Sequence, residues 1–173
     1  MALVFQYGSN CLERQINGKE RLCGDAKFVC IAETVDDYRL AFDVLSAKRG
    51  CAASDIVASP GSKVWGVLYE VPDYLIARES AKSQGRKSLD AIEGQGKNYR
   101  RTTIALRRDD QQFVNALTYR VINPTLGLKT NLEYVGYIVA GLREHGIPEA
   151  YISEVKGIAK ANNPDIGEQL ELL

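Results

Sequence analysis

The stretch Leu3-Val4-Phe5-Gln6-Tyr7-Gly8-Ser9-Asn10 joins an apolar run to a short polar loop near the start of the chain. The apolar run predicts a short, fully buried strand over residues 2–7. Ser9 and Asn10 are residue types that begin helices, and Glu13 follows Asn10 at the spacing of a capping box. The sequence therefore predicts a strand that turns into a helical segment. Several backbone N–H groups lack partners at such a corner, which suits it to bind an anion.

A second segment that could supply a catalytic group is Leu89-Asp90-Ala91-Ile92-Glu93-Gly94, which is followed by Tyr99-Arg100. Glu93 stands between apolar residues and Gly94, at the end of a predicted helical turn. A carboxylate at the mouth of an apolar site has its pKa raised by desolvation, and this suits a general base. On local sequence alone, however, Glu93 also fits an exposed glutamate at a helix end, in a chain with 22 acidic residues.

The residues around these segments are rich in types that favour β-structure. Residues 25–35 and 38–45 flank Asp36-Asp37, a turn signal, and together they predict a hairpin. Gly66 indicates a place where a neighbouring strand or a substrate approaches the backbone closely. Further strands are predicted over residues 54–59, 64–71, 99–107 and 113–122.

Helical patterns occupy the remaining long segments. Residues 73–93 show a helical pattern that is interrupted around Gly85. Residues 132–144 form an amphipathic helix that ends near Gly146, and a last helix is predicted from Pro148 to about residue 161. The chain shows no internal repeat and no linker, so we expect a single domain over residues 1–173.

Many short strands combined with a few helices predict an α+β fold. The many short antiparallel strands favour a small β-barrel that is closed or nearly closed. Periodicity alone does not distinguish a closed barrel from an open sheet.

Composition excludes several classes of function. Lys and Arg together equal Asp and Glu at 22 each, which argues against a bulk electrostatic role on nucleic acid or membranes. No apolar run is long enough to cross a bilayer, and the N-terminus lacks the pattern of a signal peptide. We therefore expect a cytoplasmic protein without nucleic-acid or membrane partners.

The cysteines and the single histidine do not form a metal-binding pattern. Cys11, Cys23, Cys30 and Cys51 include no C-x-x-C pair, and His145 is the only histidine. We expect free thiols, no metal site and no cofactor. Cys30 is predicted to lie in the core and Cys11 to be partly exposed, and His145 is expected to be structural.

The two segments, with Trp65-Gly66-Val67-Leu68-Tyr69 between them, resemble the γ-glutamylcyclotransferase family, whose fold is also called AIG2-like. The resemblance extends from Leu3 to about Pro164. It implies a small mixed barrel flanked by helices and an enzyme that needs no cofactor. Its substrate is a small γ-glutamyl compound, from which 5-oxoproline and an amine are released. We expect a monomer or a homodimer.

The resemblance also implies roles for particular residues. Glu93 is the expected catalytic acid/base, while Tyr99 and Tyr134 are expected to line the site. The family's substrate-holding loop corresponds to Tyr7, Gly8, Ser9 and Asn10. In that loop, Gly8 lets the substrate come close to the backbone.

Two questions stay open at the level of sequence. The segment between Pro72 and Leu89 is longer than in the better-known eukaryotic members, so the leaving group is undecided among γ-glutamyl amines, γ-glutamyl-ε-lysine, γ-glutamyl amino acids and γ-glutamylated biosynthetic intermediates. The alternative from another class is a non-catalytic module of the same fold that binds a γ-glutamyl or other carboxylate ligand. Glu93 argues against that alternative, because a buried carboxylate is costly to desolvate and a pure binder gains little from it.

Overall fold

Seven strands and a set of helices are arranged around one closed five-stranded barrel in the computed structural model, which describes all 173 residues. The barrel order is β1-β5-β2-β6-β7, and a parallel contact between Val4 of β1 and Leu117 of β7 closes it. The strands are β1 Ala2–Gln6, β2 Lys27–Thr34, β3 Tyr38–Ser46, β4 Cys51–Ala58, β5 Trp65–Val71, β6 Tyr99–Arg108 and β7 Phe113–Val121. The α+β class and the small barrel predicted from sequence are thus confirmed, and the barrel is closed.

The helices flank the barrel and include several single turns. The α-helices are α1 Glu13–Ile16, α2 Arg78–Ser83, α3 Leu89–Glu93, α4 Leu132–Glu144, α5 Glu149–Asn162 and α6 Gly167–Leu170. Short 3₁₀ turns cover Ser9–Cys11, Asp73–Leu75 and Pro164–Ile166. The predicted bounds of the 132–144 helix are confirmed. The interrupted helical pattern over residues 73–93 resolves into a 3₁₀ turn, α2 and α3.

The predicted hairpin across Asp36-Asp37 is wrong. β2 pairs on one side with β5 and on the other with β6, so it has no free edge for β3. The chain instead leaves the barrel at this turn, and β3 pairs with β4 as a separate two-stranded ribbon. This ribbon matters for function because β4 and the β3–β4 connection reach the mouth of the barrel.

Two glycines allow close packing around the first strand and its loop. A Cβ on Gly66 would lie 2.3 Å from the Gln6 carbonyl oxygen, so β1 and β5 approach as closely as predicted. A Cβ on Gly141 of α4 would lie 2.3 Å from the Leu12 nitrogen. The missing side chain lets the C-terminal half of α4 lie directly on the turn after β1.

The start of α4 is fixed by a side-chain cap. The Asn131 carboxamide oxygen accepts a hydrogen bond from the Tyr134 backbone nitrogen at 2.8 Å, which satisfies one of the unpaired N–H groups at the helix start. The helix then buries one face that includes Val135, Ile138 and Leu142. Tyr134 lies on the same buried side, and its hydroxyl reaches toward the barrel mouth.

Candidate active site

The central feature of the site is the carboxylate of Glu93 at the end of α3. Ser88 begins this helix by accepting a hydrogen bond from the Ala91 nitrogen at 3.0 Å. Gly94 ends it in the left-handed region at φ +70°, a conformation that favours glycine. The single turn of helix thus places Glu93 at a defined point on the rim of the barrel.

Glu93 meets the first segment of the chain through two hydrogen bonds. The Asn10 side-chain nitrogen donates to Oε1 at 2.7 Å, and the Gln6 side-chain nitrogen donates to the same oxygen at 3.0 Å. Oε2 takes part in neither bond. The two segments that the sequence singled out therefore join in one place, with one oxygen of the carboxylate anchored.

The hydrogen bonds of the Asn10 side chain show that the capping-box prediction is wrong. Its amide nitrogen goes to Glu93 and its amide oxygen accepts from Arg21, so Asn10 is not a helix cap. The segment forms a 3₁₀ turn, and α1 begins after Leu12 without a side-chain cap. Arg21 was not predicted as a site residue, because an arginine in the loop after α1 carries no signal of its partner.

The loop Tyr7–Asn10 forms one side of a small cavity. The Tyr7 hydroxyl donates to the Tyr119 carbonyl oxygen, so this buried ring is held in place. The backbone N–H groups of Gly8, Ser9 and Asn10 donate no backbone hydrogen bond. They are available donors beside Glu93.

A glycine is needed at position 8 because there is no room for a side chain, and not because of its backbone conformation. Its φ of −107° is open to other residues. A Cβ at this position, however, would lie 2.3 Å from the Ser54 Oγ and 3.5 Å from the Tyr134 hydroxyl. The group that approaches Gly8 in the structure is therefore Ser54, whereas the sequence predicted close approach of the substrate.

The opposite wall is built from Ser54 and two tyrosines. The Tyr134 hydroxyl lies 2.8 Å from the Ser54 Oγ and accepts from the Ser54 nitrogen at 3.0 Å. The Tyr99 hydroxyl donates to the Ser54 carbonyl oxygen at 2.8 Å. Ser54 was missed by the sequence analysis, since nothing in β4 sets it apart from the other small residues of that strand.

All seven predicted site residues line one cavity, here called the inner cavity, with a volume of about 40 Å³. Their roles remain predictions. The complete lining is Gln6, Tyr7, Gly8, Ser9, Asn10, Ser54, Glu93, Tyr99, Thr118, Tyr119 and Tyr134.

The helix that carries Glu93 is held by a buried ion pair one turn earlier. Both carboxylate oxygens of Asp90 accept from Arg101, at 2.9 and 2.8 Å, and the Tyr119 hydroxyl donates to Asp90 at 2.7 Å. Asp90 is buried, so losing Arg101 would leave an uncompensated charge.

Burial and the neighbouring polar groups shift the pKa of Glu93 in opposite directions. Burial raises the pKa of Glu93, which is the direction that helps a general base. The Arg21 cation and the hydrogen bonds from Asn10 and Gln6 oppose that rise by stabilising the ionised form. Burial also raises the pKa of Tyr134, so its phenol stays protonated and neutral at physiological pH.

Cys11 and His145 lie in the layer behind the cavity. Cys11 is fully buried, and its thiol donates to the Gln6 carbonyl oxygen at 3.0 Å, so the prediction of partial exposure is wrong. Burial raises the pKa of this thiol, which keeps it unreactive. His145 stacks on Phe28 and lies 3.1 Å from the Tyr69 hydroxyl, which fits the expected structural role. Cys30 is buried, as predicted.

Comparison with known proteins identifies the family. The family described as gamma-glutamyl cyclotransferase, AIG2-like, matches residues 4–136 of the chain. The chain belongs to this family. The match contains the Tyr7–Asn10 loop, Glu93, Tyr99 and Tyr134.

Individual relatives of the same family align with most of the chain. Gamma-glutamylcyclotransferase from Mus musculus is 27% identical over 161 residues, which are 90% of this chain and 78% of the mouse protein. The enzyme of the same name from Homo sapiens is 26% identical over the same shares. A solved structure of a gamma-glutamyl cyclotransferase has a TM-score of 0.74 at 24% identity, covering 91% of this chain and 87% of its own, and this supports the shared fold.

The helices give no indication of a membrane span. None of them combines the length and the apolar character that crossing a bilayer would demand.

Proposed function

We propose that the protein is a γ-glutamyl cyclotransferase that converts a γ-glutamyl compound into 5-oxoproline and a free amine. The observation that carries this proposal is the position of the Glu93 carboxylate, which is hydrogen-bonded to Asn10 and lines the same cavity as the Tyr7–Asn10 loop. Family membership supports the reaction class.

The reaction needs little from the protein beyond positioning and proton transfer. The α-amine of the substrate attacks its own γ-carbonyl carbon, a five-membered lactam forms, and the bond to the leaving nitrogen breaks. Because nucleophile and electrophile belong to one molecule, folding the substrate into a near-attack conformer supplies roughly 7–11 kcal/mol in favourable intramolecular cases. No covalent enzyme nucleophile is required, which agrees with the buried, protonated thiol of Cys11.

Glu93 is the proposed carrier of the proton. The ionised carboxylate accepts a proton from the substrate ammonium, and the freed amine then attacks the carbonyl carbon. When the tetrahedral intermediate collapses, Glu93 donates this proton to the departing nitrogen. The second proton that the ring nitrogen loses on becoming the lactam N–H is taken up by the released amine, which departs as an ammonium ion. Anchoring through Oε1 leaves Oε2 available for this exchange. General acid–base assistance of this kind contributes typically ~10²–10⁴-fold.

The Tyr7–Asn10 loop is the proposed holder of the γ-glutamyl half. The N–H groups of Gly8, Ser9 and Asn10 supply fixed donors for the α-carboxylate or for the oxyanion that develops on the γ-carbonyl. Tyr99 and Tyr134 close the opposite wall and limit the space available for an extended substrate. We also propose a cytoplasmic location, because all four cysteines are free and reducing compartments keep thiols reduced.

A structure with bound 5-oxoproline tests the assignment of the site. We expect the carboxylate or lactam oxygen of the ligand within hydrogen-bond distance of the Tyr7–Asn10 loop, with the lactam nitrogen close to Glu93. A ligand bound at a place remote from both would refute the proposal. A ligand bound here without any turnover of γ-glutamyl compounds would instead favour the non-catalytic binding module.

The pH dependence of kcat/KM should reflect the raised pKa of Glu93. Since the ionised carboxylate is the proton acceptor, kcat/KM should fall as the pH drops through that pKa, at a pH above the ordinary value for glutamate. Arg21 lowers the pKa of Glu93, so Arg21→Gln should move this acid limb to higher pH. Arg14→Gln is the control, because it removes the same charge from an exposed arginine, and it should leave the acid limb at the wild-type pH. An acid limb that moves to lower pH in Arg21→Gln would contradict the assignment.

Activity should not depend on a metal ion. Intramolecular acyl transfer with a carboxylate acid/base provides every proton transfer without a Lewis acid, so incubation with a chelator should leave kcat and KM unchanged. The check is an assay of 5-oxoproline release before and after chelation and desalting. Activity that disappears on chelation and returns with one particular metal would show this expectation to be wrong.

A further inference from the structure

The side-chain amide of Gln6 has one end that no other group of the protein uses. Its Nε2 donates to Glu93 Oε1 at 3.0 Å, and because an ionised carboxylate only accepts hydrogen bonds, the amide nitrogen is the end that faces Glu93. The amide oxygen, Oε1 of Gln6, is neither hydrogen-bonded within the protein nor enclosed by it. It therefore faces the inner cavity, which Gln6 lines.

The backbone and the tip of Gln6 are both held in place. Gln6 is the last residue of β1 and lies opposite Val67 of β5, and its carbonyl oxygen accepts a hydrogen bond from the Cys11 thiol at 3.0 Å. Only 6% of the residue is exposed, and the bond to Glu93 fixes the far end of the side chain. The free oxygen is thus presented in a fixed direction before any ligand binds, which lowers the entropic cost of orienting a ligand.

Most other side-chain oxygens around the inner cavity already have partners. Those with partners belong to Tyr7, Asn10, Ser54, Tyr99, Thr118, Tyr119 and Tyr134. The oxygens that make no hydrogen bond are Gln6 Oε1, Glu93 Oε2 and Ser9 Oγ. Gln6 and Glu93 are bonded to each other, so their two free acceptors belong to one rigid pair.

The chemistry of these free groups indicates what they recognise. Gln6 Oε1 and Glu93 Oε2 can only accept hydrogen bonds, whereas the backbone N–H groups of Gly8, Ser9 and Asn10 can only donate them. A ligand that fits has N–H donors at one end and an anionic acceptor at the other. An α-ammonium group with its neighbouring α-carboxylate has this pattern, and the ammonium carries three N–H donors.

We propose that Gln6 is a substrate-binding residue whose amide oxygen accepts a hydrogen bond from the α-nitrogen of the γ-glutamyl group. This inference rests on the proposed function and assigns the group that orients the nucleophile. One proton of the α-ammonium passes to Glu93 and then to the departing nitrogen, and a second leaves with the released amine. The third remains as the lactam N–H of 5-oxoproline, and this is the N–H that Gln6 holds. Holding it turns the lone pair of the nitrogen toward the γ-carbonyl carbon.

A pair of ring compounds tests the contact without requiring turnover. 5-Oxoproline and 3-oxocyclopentane-1-carboxylate of matching configuration differ only in a ring N–H that is replaced by CH₂. We expect calorimetry on the wild type to give a Kd about tenfold lower for 5-oxoproline, because the ketone leaves the Gln6 acceptor without a donor. Gln6→Met removes that acceptor with an unbranched side chain of similar length and should bring the ratio of the two Kd values close to one.

Turnover of γ-glutamyl-alanine gives a second readout for Gln6→Met. The loss of the Nε2 donor removes an interaction that lowers the pKa of Glu93, so the acid limb of kcat/KM should move to higher pH. On the plateau above that limb, where Glu93 is ionised in both proteins, kcat/KM should still be about tenfold lower or more, because the nucleophile is less well oriented. A role confined to the pKa of Glu93 would move the limb and restore the plateau.

Two matched variants assign the effect to the Gln6 oxygen. Gln112→Met makes the same replacement at an exposed glutamine that does not line the inner cavity, so the wild-type Kd ratio and plateau should persist. Ser9→Ala removes the remaining free hydroxyl of the lining and should also keep the Kd ratio. A ratio that is lost in Ser9→Ala and kept in Gln6→Met would assign the N–H to Ser9 and overturn the inference.

A wild-type structure with bound 5-oxoproline decides the contact even if Gln6→Met does not fold. The lactam nitrogen should lie about 3 Å from Gln6 Oε1, and a nitrogen bonded to Glu93 alone would overturn the inference. Release of 5-oxoproline from γ-glutamyl-alanine with an unchanged Kd ratio in Gln6→Met would overturn the role of Gln6 and leave the cyclotransferase standing. The expected Kd ratios without release of 5-oxoproline from any γ-glutamyl compound would support the Gln6 contact and overturn the proposed function.

Discussion

Glu93→Gln should retain the fold and lose nearly all cyclotransferase activity. Both hydrogen bonds to the side chain end on Oε1, so the carbonyl oxygen of glutamine can accept them from Asn10 and Gln6 in the same way. The amide nitrogen that replaces Oε2 cannot accept the ammonium proton. We therefore expect kcat to fall by ~10²–10⁴-fold, the usual contribution of general acid–base catalysis.

Stability measurements provide the control for this variant. The raised pKa of Glu93 means that the folded protein favours the neutral side chain relative to the unfolded chain. At neutral pH the ionised carboxylate therefore costs folding free energy, and glutamine removes that cost. The melting temperature of Glu93→Gln should equal or exceed that of the wild type. A folded variant whose kcat falls by less than about tenfold would reject Glu93 as the acid/base.

Gly8→Val should cause the second large loss. The Cβ alone would lie 2.3 Å from the Ser54 Oγ, so either the loop or Ser54 must move. Ser54 is hydrogen-bonded to both Tyr134 and Tyr99, so its movement displaces the opposite wall of the inner cavity. A misplacement of about 1 Å near a reacting centre costs on the order of 10²-fold, and we expect a loss of that size in kcat/KM.

Two further variants locate the cause of that loss. Ser9→Ala keeps the backbone N–H and removes only a hydroxyl, so it should have a much smaller effect on kcat/KM. The Ser54→Ala background removes the atom at 2.3 Å and leaves the Ser54 Cβ and the Tyr134 hydroxyl, both at 3.5 Å, so Gly8→Ala should destabilise the protein less there than in the wild type. Wild-type kinetics in Gly8→Val would show that the loop does not hold the substrate.

The local structure of this chain could be read from sequence because its signals are local. The apolar run at Leu3-Val4-Phe5 forms β1, and the amphipathic segment forms α4 with the predicted bounds. The pairing of β2 and β3 could not be read in this way. Asp36-Asp37 marks a turn correctly, but whether two flanking strands pair depends on which edges are free, and β5 and β6 occupy both edges of β2.

Some residues of the candidate site could be predicted from the sequence in the same way, and others could not. Glu93 and the Tyr7–Asn10 loop were found because each belongs to a segment with a recognisable pattern. Ser54 and Arg21 were missed because their importance depends on distant partners: Ser54 on Tyr134 and Tyr99, and Arg21 on Asn10. The role of Asn10 shows the same limit, since its position fits a capping box while its side chain bonds to a residue 83 positions away.

Reaction of γ-glutamyl-alanine in water enriched in ¹⁸O tests the central claim most directly. Cyclisation consumes no water, so mass spectrometry should find 5-oxoproline without added ¹⁸O, together with alanine in equal amount. Attack by water at the same carbonyl would instead release glutamate that carries one ¹⁸O atom. The account predicts unlabelled 5-oxoproline, and labelled glutamate as the product would contradict it.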